Sequence, residues 1–345
     1  MHDNYRKFLA ESDTDRRDVF NAAAQKLQVP PEYIEKDFWV CLTLDVLFNS
    51  EGMQSHKLLF KGGTALSKGH GLIKRFSEDI DIVVFRDDLG FRSESDPTNR
   101  ALELGTNARN KLFEQLRSSC QAFMLGDLSA VLASATAGLG CAIFPDDEDK
   151  DNQTVLVQYK SLFKFNTYVK PIVKIEGGAR SGLTPHNILS IKPYIADVVS
   201  VFDFTIFGIR TIDAERTFWE KILILHGLHC GYRDDKKLPS EANRLSRHYY
   251  DVAMLSQSKV STQAINNIDL LNEVREHNLV AFNQKWKKFN EAVPGRIMII
   301  PQDELAVVLA NDYKAMSGMI MGDEPKFDSI LDEIRQLYDR INPSH

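Results

Sequence analysis

The chain has 345 residues, of which 43% are hydrophobic and 26% charged, the balance of a soluble globular protein with room for one large core or two ordinary ones. Its formal net charge of −6 excludes nucleic-acid binding through the field of the whole molecule and leaves only a local basic surface for that purpose. No apolar run approaches the length that spans a bilayer, and Met1-His2-Asp3-Asn4-Tyr5-Arg6 lacks the apolar centre of a signal peptide, so a cytoplasmic protein with no membrane partner is expected.

Two helices are expected over 14–28 and 31–48. Pro31 suits the first position of the second helix and Glu32 its positive end. Ile34, Phe38, Cys41, Leu42 and Val46 recur there at helical spacing. A short strand over 57–60 runs into Gly62-Gly63, and a helix starts at Thr64. Residues 79–85 carry a β-branched strand signature. A long helix is expected over 98–124, followed by an Ala-, Ser- and Gly-rich stretch at 126–140 with no clear pattern. The acidic run Asp146–Asp151 reads as a solvated loop. Strands are expected at about 154–160, 169–176 and 188–194, then a helix over 213–229 with Asp213 as its cap. A polar loop at 231–240 precedes helices at about 241–257, 264–285, 302–318 and 327–341. Strands thus precede residue 210 and helices follow it, which predicts an α/β core over 1–210 and a helical domain over 211–345.

The four cysteines, Cys41, Cys120, Cys141 and Cys230, show no CxxC or CxxH pairing, and reduced, buried thiols are expected in preference to a zinc site. His226 and His229 lack the glutamate and the spacing of a zincin helix and read as residues near a helix C-terminus.

Chemistry concentrates in 61–81. Gly62-Gly63-Thr64 allows a backbone to approach a phosphate without side-chain obstruction, with Lys61 beside it; alone, the glycines fit an ordinary tight turn equally well. Asp79 and Asp81 share one face of a strand, because side chains alternate with a period of two. Two adjacent carboxylates suit a hard divalent cation such as Mg²⁺ or Mn²⁺, although an Asp-x-Asp on a solvated edge is also common. Ser77 lies ready to contact a phosphate or to cap a turn. A third carboxylate, Glu176, follows in an apolar strand where Lys174 and Glu176 share a face. It fits a metal ligand, a general base or a salt bridge with a lysine. Arg180 follows Gly177-Gly178 and has the reach for a phosphate, or for plain solvent. Lys221 has a charge suited to a triphosphate or to an ordinary helix surface, and Arg244, Arg247 and Asp251 recur at spacing that puts them on one helix face, as a site cluster or as a plain intrahelical ion pair.

These blocks together resemble the AbiEii/AbiGii-type nucleotidyltransferase toxins, a branch of the DNA polymerase β-like nucleotidyltransferases. The similarity runs through Glu35-Lys36-Asp37-Phe38-Trp39-Val40, Lys61–Leu66 with Arg75–Asp81, Lys174-Ile175-Glu176 with Arg180, Arg216–Lys221 and Arg247–Asp251, in that order. The spacer between Gly63 and Asp79 is longer than in the wider superfamily, and the loop between Lys221 and Asp251 is long and charged.

The resemblance implies an α+β fold: a mixed sheet flanked by helices, followed by a helical C-terminal domain. It implies Asp79, Asp81 and Glu176 as holders of Mg²⁺, with Gly63 and Thr64 on the triphosphate and Ser77 nearby. Lys221 and Asp251 match downstream active-site positions. The implied activity is transfer of nucleotides from an NTP to an acceptor, tRNA 3′ ends being one, by a toxin of a two-gene system, some members acting in phage defence, with an antitoxin as partner. Lys61, Lys68, Lys74, Arg75, Arg180, Arg244, Arg247 and Lys236-Lys237 are the candidates for an RNA-facing surface. A protein acceptor, a small-molecule acceptor and a non-catalytic nucleotide-binding protein are the competing expectations.

Overall fold

The computed structural model describes residues 3–164, 170–236, 244–282 and 284–343. The expected helix start at 241–243, the loop at 237–240 and Lys237 lie outside them. Two compact units divide the chain. One takes the residues up to Gly69 together with Phe76–Ile212; the other takes His70–Arg75 and the residues from Asp213 onward.

The first unit is built on a mixed seven-stranded sheet of order β3-β4-β5-β2-β1-β7-β6. The strands are β1 (Leu58–Lys61), β2 (Ile80–Val84), β3 (Ala142–Pro145), β4 (Thr154–Gln158), β5 (Ile172–Gly178), β6 (His186–Ile191) and β7 (Ile206–Ile212). β2 runs antiparallel to β1 and parallel to β5. Helices α1 (Asp3–Ala10), α2 (Asp13–Leu27) and α3 (Pro31–Asn49) precede the sheet. The Ser12 side chain caps α2 by accepting the Asp15 N–H, which satisfies one of the orphan donors of the first turn.

Every residue of α3 from Tyr33 to Leu47 is buried, charged ones included. Buried charge is tolerable only where it is paired or hydrogen-bonded, and here each of the three consecutive charges is. Glu35 accepts from the Leu162 N–H at 2.8 Å and from the Ser161 hydroxyl. Asp37 pairs with Lys68 at 2.7 Å and accepts the Tyr194 N–H at 2.7 Å. Lys36 pairs with Glu78. Tyr5, Phe8, Phe20 and Phe204 pack around Phe38 of this helix with ring centroids 5.1–5.9 Å apart.

The stretch after β1 is helical, as α4 (Gly62–Thr64) continuing through Ala65–Gly69. The long helix α5 (Thr106–Phe123) starts later than the sequence suggests. Residues before it are held in turns by side chains: Asp96 accepts the Thr98 N–H at 2.8 Å, and Arg109 donates to the carbonyls of Pro97, Asn99 and Leu102. Such local bonds compete with helix. The unpatterned stretch at 126–140 continues as helix through Met124–Leu128 and α6 (Ser129–Ala135). β3 and β7 were not expected. β3 is short and ends on a proline, and Gly208 at φ +78° breaks the alternation of β7.

The second unit is helical, with α7 (Ala214–Asp235), α8 (Ser246–Ser256), α9 (Lys259–Asn266), α10 (Ile268–Ala281), α11 (Asp303–Met316) and α12 (Phe327–Ile341). The helix expected over 264–285 is broken at Asn267, whose side chain accepts the Leu270 N–H and starts α10 afresh. α7 extends to Asp235, so His226 and His229 are mid-helix rather than terminal. Both are buried: His229 Nε2 meets the Tyr249 hydroxyl at 2.7 Å, and His226 Nδ1 accepts the Met298 N–H at 3.1 Å. His70–Arg75 is built into this unit although its flanking residues belong to the other. Arg75 bridges Ile320, the Lys74 carbonyl accepts the Met321 N–H at 2.8 Å, and the Lys74 N–H reaches the Tyr250 hydroxyl at 3.3 Å.

All four cysteines are free; Cys41, Cys120 and Cys230 are buried and Cys141 is half-buried. Among the described residues no helix is long and apolar enough to cross a membrane.

Candidate active site

The register of the sheet brings the sequence-predicted residues of the first unit together. Lys61 on β1 pairs with Asp81 on β2, Asp81 with Glu176 on β5, and Glu176 with Thr154 on β4. Directly opposed residues of neighbouring strands lie on the same face, so Lys61, Asp81 and Glu176 form one row. Asp79 ends the loop just before β2. On the same face Leu59, Val83 and Ile212 form a buried apolar cluster that, with Phe85 and Leu183, gives the row a rigid floor.

The glycine turn sits at the end of β1 and is fitted to Asp81. Gly62 has φ +79°, and a Cβ there would fall 1.9 Å from Asp81 Oδ2. Both the conformation and the space require glycine. Thr64 ties the turn to the acidic strand: its hydroxyl is bonded to the Asp79 carbonyl oxygen and lies 2.9 Å from Ser77 Oγ. Lys61 Nζ donates to Ser181 Oγ at 3.0 Å. The loop of Ala179 and Ser181 is pinned from below by buried Arg86, which donates to both carbonyls at 2.9 Å. Arg180 lies in that loop with its guanidinium 4.8 Å from the Phe113 ring centroid, a cation–π contact.

The electrostatics are those of a site short of positive charge. Burial pushes the Asp79 carboxyl above its ordinary value, Glu78 and Glu176 push it further, and Lys36 and Lys174 oppose them. Carboxylate oxygens are hard donors, and Asp79, whose ionisation burial and the neighbouring acids resist, fits beside a hard divalent cation. Among the described residues no three acidic, histidine or cysteine side chains converge as a ready-made cage. Mg²⁺ seldom uses such a cage; one or two carboxylates, waters and substrate phosphates complete its octahedron.

The second unit holds Lys221 and Asp251. Asp251 is fully buried; Arg75 grips it through Nε and Nη2 at 2.7 and 2.8 Å, and Lys221 Nζ lies 2.8 Å from Oδ2. Burial alone would raise its carboxyl, but the charges of Arg75 and Lys221 hold it far below the usual carboxylate range. Burial lowers the Lys221 ammonium, with Arg75 and Arg247 adding to the effect against the pull of Asp251. His248 beside them is driven well down by burial and then by Lys221 and Arg247, and its Nδ1 has no hydrogen-bond partner among the described residues.

Several expectations need correction. Lys68 and Arg75 are buried in ion pairs with Asp37 and Asp251 and are no part of a basic surface. Arg244 is exposed and precedes α8, so it does not share a helix face with buried Asp251. Within the acidic run, Asp146 is largely buried and pairs with Lys174 rather than being solvated. Sequence reasoning also missed Lys36 with Glu78, and Arg86 beneath the Arg180 loop. A charged residue inside the apolar pattern of α3 was the available signal for Lys36; Arg86 left none.

A search of curated proteins returned no match. Among solved structures the fold is similar to that of MenT4, a nucleotidyltransferase toxin from Mycobacterium tuberculosis H37Rv. The TM-score is 0.51 at 13% identity, over 94% of this chain and 90% of that one. The family model for the nucleotidyl transferase AbiEii toxin of type IV toxin–antitoxin systems matches residues 45–333. With that match across both units, the chain belongs to the AbiEii nucleotidyltransferase toxin family, and its enzymatic class is nucleotidyl transfer.

Proposed function

We propose that this toxin transfers nucleotides from an NTP to an RNA acceptor, the tRNA 3′ end first among candidates, in a Mg²⁺-dependent reaction in the cytoplasm, opposed by a cognate antitoxin. The observation that carries the reading is the row in which Asp81 stands beside Glu176 with the Gly62–Thr64 turn closed against it. Asp79, Asp81 and Glu176 would hold the cation, which when bound would stabilise phosphate charge and acidify the acceptor hydroxyl.

The chain's own residues do the positioning that dominates phosphoryl chemistry. The turn after β1 offers backbone N–H groups to the triphosphate, Thr64 and Ser77 fix the turn relative to Asp79, and Lys61 and Arg180 supply positive charge. Glu176 would take the acceptor proton. Lys221, paired with Asp251 within the helical unit, is the further candidate for neutralising phosphate charge.

A protein acceptor is the second reading. It draws support from the net charge of −6 and from the withdrawal of Lys68 and Arg75 from the surface. The deciding experiment incubates the protein with Mg²⁺, each α-labelled NTP in turn, and separate pools of tRNA, other RNA and cell protein, with Asp79→Ala as control. Label on tRNA with wild type alone supports the first reading, and loss of acceptor binding with rising salt accompanies it. Label on protein alone replaces it with the second.

A further inference from the structure

We propose that Lys174 is an internal counter-ion of the cation site, bound to Glu176 when the site is empty of cation and handed to Asp146 when a cation arrives. The proposal rests on the reading of Asp79, Asp81 and Glu176 as cation ligands.

Lys174 and Glu176 are two apart on β5 and share a face. Lys174 Nζ lies 3.1 Å from Glu176 Oε1 and 3.2 Å from Asp146 Oδ2, so one ammonium is shared between two carboxylates. The two anchors differ. The Asp146 side chain is 13% exposed against 44% for Glu176, and the Asp146 N–H is bonded to the Thr154 carbonyl at 3.1 Å. Asp146 is therefore the sheltered acceptor on an anchored backbone, and Glu176 the more exposed one. The charge of Lys174 also reaches Asp79.

An ammonium on Glu176 and a divalent cation on the same carboxylate repel each other, and the repulsion is felt most where solvent is partly excluded. A lysine with a single partner would have to be expelled into water. Lys174 already touches a second carboxylate, so a small rotation of its end releases Glu176 without leaving the ammonium unpaired. Its affinity for Glu176 then sets the cation concentration at which the site fills.

The test is Mn²⁺ binding, followed by loss of the free-ion electron paramagnetic resonance signal, on the full chain without nucleotide. Lys174→Met and Lys174→Gln are expected to bind Mn²⁺ about three- to tenfold more tightly than wild type, the scale of one like charge removed within ~5 Å in a mostly aqueous dielectric. Asp146→Asn, which removes the second anchor, is expected to bind more weakly. Unchanged or weaker binding in both lysine variants overturns the proposal, and wild-type affinity in Asp146→Asn overturns the transfer to Asp146. Asp81→Asn separates the underlying reading. If it binds Mn²⁺ as wild type does, the cation-site assignment falls and the proposal with it; if it loses binding while the lysine variants stay unchanged, the proposal alone falls.

Discussion

Gly62→Ala places a methyl group where Asp81 keeps its carboxylate. The ideal Cβ would be 1.9 Å from Asp81 Oδ2, 2.6 Å from Cγ and 3.0 Å from Cβ, on a backbone with φ +79°. Two costs are involved. The left-handed conformation costs an L-residue about 1–2 kcal/mol, and forcing atoms into occupied space adds about 1–3 kcal/mol. Gly71 separates the two, because it has φ +64° with nothing within 4 Å of its Cβ position. Gly71→Ala is therefore expected to lose only the backbone term. Gly62→Ala is also expected to displace Asp81, proposed as a cation ligand, and a shift on the order of 1 Å in such a group costs about a hundredfold in rate. Urea unfolding of both variants and the labelled-NTP transfer assay read the two effects. Equal activity in Gly62→Ala and Gly71→Ala would refute the argument that the turn and Asp81 are mutually fitted.

Other consequences follow from the charges. Asp79→Asn abolishes transfer without destabilising the fold. The Asp79 carboxyl is raised in the folded protein, so wild-type stability falls as pH rises from 3.8 through the folded value, and the variant loses that fall; a neutral-pH melting temperature well below wild type would contradict this. Asp251→Ala leaves Arg75 and Lys221 buried without their anion and costs about 3–5 kcal/mol. Since the Asp251 carboxyl is depressed, wild-type stability from this group is present above 3.8 and lost as pH falls below it; denaturant unfolding of wild type and variant at neutral and acid pH checks both statements. His229 is pushed down to about 4 by burial. The unfolded chain takes up its proton near 6.5 and the folded one does not, so stability on the order of 3 kcal/mol is lost as pH falls from 6.5 to 4. His229→Gln flattens that slope, and an unaltered slope would remove His229 as its origin.

The turn and the Asp-x-Asp were legible because their chemistry is local. Glycines before a helix and carboxylates at a spacing of two announce themselves within a few residues. Five strands and the helical second half followed from hydrophobic period and the mixed sheet from the family resemblance, but β3, short and ending on a proline, and β7, where Gly208 hides the alternation, did not. The environment of the site was not legible. Lys68 and Lys61 look alike in sequence, yet one is buried against Asp37 and the other reaches Ser181. The partners of Lys36, Arg75 and Arg86 lie 42, 176 and up to 95 residues away. No window-based pattern carries such pairings, and long cationic side chains pack or snorkel according to what the fold brings near.

The excursion of His70–Arg75 into the helical unit bears on the genetics of the chain. A polypeptide ending at Ile212 keeps every strand of the sheet, the glycine turn and all three carboxylates. It lacks Asp251, Tyr250, Ile320 and Met321, the partners that hold the stretch joining the turn to the Asp-x-Asp. A late nonsense mutation thus removes the support of a connection made early in the reading frame. A product truncated at Ile212 is therefore expected to keep the strands yet leave His70–Arg75 without the partners that hold it.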